Sequence, residues 1–119
     1  MTAGWTALWW LACAGPTATG PADAHAGEAV YTTYCASCHQ SDGSGIGPGG
    51  NRLGAPFVGP ESRLTQADDR LAESIRNGRT GAIGAMPAWK GVLSDAQQRD
   101  VLAYLRAQFG SAAAPGSSP

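Results

Sequence analysis

The sequence predicts a small all-α domain, with three to four short helices and long Gly-rich loops wrapped around one bound group. Three observations carry this. Apolar residues recur at helical spacing in three separate stretches. No stretch reads convincingly as a strand. Glycine reaches 17 of 119 residues and crowds into the connections, where it signals either flexibility or close backbone approach to something flat or bulky. A core of this size is marginal without a disulfide, metal or cofactor as a staple.

The elements follow in chain order. Residues 5–14 are uncharged and mostly apolar, too short to cross a bilayer as a helix but suited to an export leader. Ala22-Asp23-Ala24 and Ala24-His25-Ala26 are A-x-A sites. Residues 1–24 are therefore expected to be a signal peptide cut after Ala24, although no Lys or Arg precedes the apolar run. The rival is a retained membrane-surface segment. Cys13 lies inside the leader and is expected to leave with it; the alternative is a lipid-modified cysteine, for which Trp10-Leu11-Ala12 is a poor box. No transmembrane span is expected in the mature chain.

Residues 26–34 are expected to form a first helix, with Glu28 in its first turn and Val30 and Tyr34 on one face beside Tyr31. Residues 41–60 hold too many glycines for a helix or a ladder. Thr65 is the expected N-cap of a second helix with Leu71 and Ile75 inward, ended by Asn77-Gly78, where Gly78 suits a left-handed cap. Residues 79–93 are expected to be loop and contain Met86-Pro87-Ala88-Trp89. Ser94-Asp95-Ala96-Gln97 is a capping box that opens the last helix. Val101, Leu105 and Phe109 form its buried stripe, and Gly110 stops it. Residues 111–119 read as a disordered tail, which leaves a domain over residues 27–110. Loops this long are out of place in a compact domain unless they wrap something large.

Charge excludes some functions. The net charge is −1 and Lys90 is the one lysine. With no basic run, nucleic acid is excluded as a partner.

Cys35-Ala36-Ser37-Cys38-His39 is C-x-x-C-H, the covalent haem attachment signature. Two intervening residues make about one helical turn, so both sulfurs reach one edge of a porphyrin, and the adjacent imidazole reaches the iron. A thioredoxin-like C-x-x-C wants a βαβ context that is not readable here. A structural zinc wants four ligands, whereas the mature chain offers two Cys and two His. A plain disulfide leaves His39 unexplained. For the second axial ligand, Met86 is the one methionine besides Met1. Its loop position next to Pro87 favours ligation over core filling. His25 is the rival ligand.

On these motifs, with Asn77-Gly78 ahead of Met86-Pro87 and Val101-Leu102-Ala103-Tyr104-Leu105, the chain resembles the class I c-type cytochromes of the short bacterial type over residues 27–109. The resemblance implies the cytochrome c fold around one haem c, whose iron is held by His39 and Met86. It also implies a close crossing of the first and last helices, with Gly27 and Tyr31 against Val101 and Tyr104. It further implies a loop proline carbonyl that accepts the hydrogen bond of the proximal histidine. Pro48 and Pro56 are the candidates, and Pro56 is preferred for its Pro56-Phe57-Val58-Gly59 setting. Arg52 and Arg79 are candidates for the haem propionates, with solvated surface arginines as the alternative. Trp89 is expected to pack near Met86.

The function so implied is one-electron carriage in the periplasm, without catalysis, to transiently docked redox proteins. One alternative is a haem subunit of a dehydrogenase or oxidase complex. Another is a haem enzyme or gas sensor with an open sixth position.

Overall fold

The computed structural model describes residues 21–110. Most of the leader and all of the 111–119 tail lie outside the described residues.

Helix α1 spans Ala24–Val30, so it starts two residues before the expected position. Asp23 causes this. Its carboxylate accepts the amides of His25 at 2.9 Å and Ala26 at 3.2 Å. Its own amide donates to Asp100 Oδ1 at 2.8 Å. In the uncut chain, Asp23→Ala is expected to lower stability by about 1 kcal/mol, read as a fall of several degrees in melting temperature.

The helix does not stop at Val30. A π-helical turn covers Tyr31–Cys35, closed by the Ala36 amide donating to the Tyr31 carbonyl. The Thr32 and Thr33 hydroxyls donate to the carbonyls of Glu28 at 2.9 Å and Ala29 at 2.8 Å, back-bonds of the kind that bend helices. Helix α2, Ala36–His39, then carries the second cysteine and the histidine.

Gly27 marks the crossing of α1 with α4 (Asp95–Phe109), the largest contact between elements among the described residues. A Cβ at Gly27 would lie 1.9 Å from the Asp100 carbonyl oxygen and 2.9 Å from Tyr104 Cβ. The Tyr31 and Tyr104 rings meet at 5.3 Å. Helix α4 has the expected capping box, with Ser94 and Gln97 bonding reciprocally. Val30, Tyr31, Leu71, Ile75, Val101 and Leu105 are among the buried residues that join the helices into one core.

Two expectations fail between residues 60 and 90. Thr65 is not a helix cap: it ends a 3₁₀ turn, Arg63–Thr65, that Ser62 caps. Helix α3 begins later, at Asp68–Asn77, with no side-chain cap. The segment after it is not all loop. Strands β1 (Arg79–Gly81) and β2 (Gly84–Met86) form an antiparallel hairpin. Three-residue strands rich in glycine and alanine leave no alternation to read. Gly78, between α3 and β1, has φ +73°, and a Cβ there would lie 2.5 Å from the Met86 carbonyl oxygen. Only glycine allows the helix end and the methionine segment this close.

Candidate functional site

Between α2, the 41–60 loop, α3 and the hairpin lies a cavity of about 440 Å³, within the range of cofactor sites. Cys35, Cys38, His39 and Met86 all line it. The π-helical turn leads from α1 directly into the motif. Gln40, immediately after His39, holds φ +66°, a costly conformation for a residue with a side chain. Two bonds hold it: the Tyr31 hydroxyl donates to the Gln40 carbonyl, and Gln40 Nε2 donates to the Ser37 carbonyl at 3.0 Å.

His39 is fixed in orientation and protonation. Its Nδ1 lies 2.9 Å from the Ala55 carbonyl oxygen. A carbonyl only accepts, so Nδ1 is the donor of this bond, and in the neutral ring Nε2 keeps its lone pair. The Phe57 ring stacks on the imidazole at 4.4 Å. Burial holds the His39 pKa below its ordinary value, with the Ala55 bond opposing. Burial thus favours the neutral imidazole, the form in which histidine binds a metal.

The Ala55 bond corrects the expectation for the proline. Neither Pro56 nor Pro48 accepts from His39. The Pro56 carbonyl instead takes the Arg63 amide at 2.9 Å, and neither proline lines the cavity. Successive carbonyls of an extended chain point to opposite sides. Proline at 56 biases Ala55 toward that extended form, and the carbonyl aimed at His39 is the one before the proline.

Met86 is half-buried against the core at the end of β2. The chain beyond it is tied to the end of α3: Trp89 N–H donates to the Ile75 carbonyl at 3.0 Å and Lys90 N–H to the Arg76 carbonyl at 3.2 Å. Trp89 lines the same cavity and meets the Tyr34 ring edge-on at 5.5 Å. His25 is exposed on α1 and does not line the cavity.

Comparison with known proteins agrees. The family profile described as cytochrome c oxidase, cbb3-type, subunit III matches residues 22–105. Cytochrome c6 of Leptolyngbya boryana is 37% identical over 84 residues, which cover 71% of this chain and 91% of that one. The chain belongs to the class I c-type cytochromes. The cytochrome c subunit of the quinone alcohol dehydrogenase of Gluconobacter oxydans (strain 621H) is 34% identical over 101 residues, 78% of this chain but 20% of that one. The chain thus spans about a fifth of that subunit's length and most of cytochrome c6. The solved structure of cytochrome c6 from the diatom Phaeodactylum tricornutum superposes with a TM-score of 0.53 at 26% identity, covering 75% of this chain and 97% of the other.

Haem c is accordingly the cofactor of this cytochrome, and the cavity suits it. Its lining is mostly apolar and includes two arginines, Arg63 and Arg79, and no carboxylate, a match for a flat apolar ring with two propionates. Arg79, a sequence candidate, also donates to Ser74 Oγ at 3.3 Å. Arg52 does not reach the cavity; it donates to the Ser44 and Gly54 carbonyls, both at 3.4 Å. Arg63 is a lining residue that sequence reasoning missed, because nothing local marks it. Competing chemistries fit poorly. Burial and the neighbouring Cys38 push the Cys35 thiol up to about 11, opposite to the lowered pKa of a redox-active dithiol. Among the described residues no group of three His, Cys, Asp or Glu side chains is placed to hold a bare metal ion.

Proposed function

We propose that Cys35 and Cys38 hold haem c by thioethers, that His39 and Met86 are its axial ligands, and that the domain over residues 27–110 is a periplasmic one-electron carrier. Electron transfer is the function of the family to which the chain belongs. Haem c supplies an iron that takes up and returns one electron. The observation that supports the ligand assignment is the Nδ1 bond to the Ala55 carbonyl, which orients a cavity-lining imidazole and leaves its other nitrogen available to a metal. Met86 adds a thioether in the same cavity. With both His39 and Met86 holding the iron, no place would be left for a substrate, which would separate a carrier from a haem enzyme or gas sensor. Loss of the weak sulfur–iron absorbance at the red end of the oxidised spectrum, with gain of a high-spin spectrum, is expected for Met86→Ala. An unchanged spectrum contradicts the ligand role.

A second reading is a haem subunit of a larger dehydrogenase or oxidase. It is favoured by the likeness to the Gluconobacter subunit and by the match to the oxidase subunit III profile. The redox chemistry is the same, and co-purification distinguishes the two.

Export is part of the same proposal, with a leader over residues 1–24. Among the described residues no helix is long and apolar enough to cross a membrane. Cutting after Ala24 removes the Asp23 cap of α1, at a cost of about 1 kcal/mol. The intact mass of the exported protein reads the cut directly.

A further inference from the structure

Outside the haem cavity, Arg106, in the last turn of α4, is held by several bonds. All three of its guanidinium nitrogens are used. Nε donates to Asp68 Oδ1 at 2.8 Å, Nη1 to the Leu64 carbonyl, and Nη2 to the Gln66 carbonyl at 2.6 Å. Nη2 also lies 2.8 Å from Asp68 Oδ1, and the arginine side chain is 20% exposed. The three acceptors belong to one short stretch, from the 3₁₀ turn to the first residue of α3. Arg63 and Gln66, from that stretch, line the haem cavity.

We propose that Arg106 is a positioning residue for the haem: it clamps residues 64–68 to the last helix and so fixes the Arg63 cation at the cavity. The inference rests on the haem reading above. Its physical basis is geometric. The stretch's other anchors are the Arg63 amide on the Pro56 carbonyl, the Ser62 amide on the Gly59 carbonyl at 3.1 Å, the Ser62 hydroxyl on the Phe57 carbonyl at 2.8 Å, and buried Leu64. A planar fork with three acceptors fixes orientation as well as distance, which an ammonium cannot do. Releasing the clamp removes the bonds that hold the segment following Arg63 to the last helix, and lets the Arg63 charge shift relative to the cavity. At the effective dielectric of a protein surface, such a move is worth a few-fold in a redox equilibrium.

The test is a double-mutant cycle on the haem-loaded protein with Arg106→Gln, Arg63→Gln and the pair, reading midpoint potential beside thermal stability. Arg106→Gln is expected to lower the potential, a shift of about threefold in the reduced-to-oxidised ratio at a fixed applied potential. It should do much less when Arg63 is already Gln. Arg106→Lys should recover stability more than potential. A stability loss with unchanged potential, or equal potential shifts with and without Arg63, overturns the proposal. The haem absorption spectrum of the same samples tests the haem reading separately, since pigment persists in all variants if only the clamp is wrong.

Discussion

Changing Cys35 and Cys38 together to serine is expected to abolish both the pigment and the folded domain. The cavity of about 440 Å³ sits where α2, α3 and the hairpin meet, and its walls include core residues such as Phe57, Leu71, Ile75 and Val101. With nothing covalently held there, these walls face water. Burial of apolar surface is worth about 25 cal/mol per Å², and a domain has only some 5–15 kcal/mol in total. Loss of the staple is therefore comparable with the whole stability, as for small metal-dependent domains. Each single serine variant keeps one thioether and is expected to fall between: coloured, but less stable. Far-ultraviolet dichroism and a denaturing haem stain on the three variants check this. A colourless double variant with native dichroism and a cooperative melt contradicts it.

The second large effect is expected at Gly27. In Gly27→Val, Cβ alone overlaps the Asp100 carbonyl at 1.9 Å. The neighbour is backbone and cannot swing aside, so α1 and α4 must separate along the largest contact in the fold. A loss of at least about 3 kcal/mol follows, beyond ordinary overpacking. Gly91→Ala is the control: a Cβ there meets nothing within 4 Å, and its effect should stay within about 0.5 kcal/mol. Urea titration of both variants measures the contrast.

What was legible in the sequence was what lies close together along the chain. The haem motif spans five consecutive residues, and the Ser94–Gln97 box spans four; both stand where they were read. The helix crossing was legible only through the family resemblance, which placed Gly27 and Tyr31 against Val101 and Tyr104. What escaped depends on backbone direction or on distant partners. The acceptor for His39 was misassigned by one residue, because carbonyl orientation reverses between Ala55 and Pro56. The hairpin escaped because three-residue strands at Arg79 and Gly84 bury no alternating face. Thr65 looked like a cap, yet Ser62 caps the 3₁₀ turn ahead of it and α3 starts at Asp68. The early start of α1 depends on Asp23, which was assigned to the leader. Arg63 and the Arg106 clamp join residues about 40 positions apart, beyond any local pattern.

Acid–acetone extraction of the purified protein, made in a host that attaches haem, bears most directly on the central claim. Thioethers at Cys35 and Cys38 predict that the colour stays with the precipitated polypeptide. Colour that passes into the solvent, or a polypeptide that never acquired any, contradicts it.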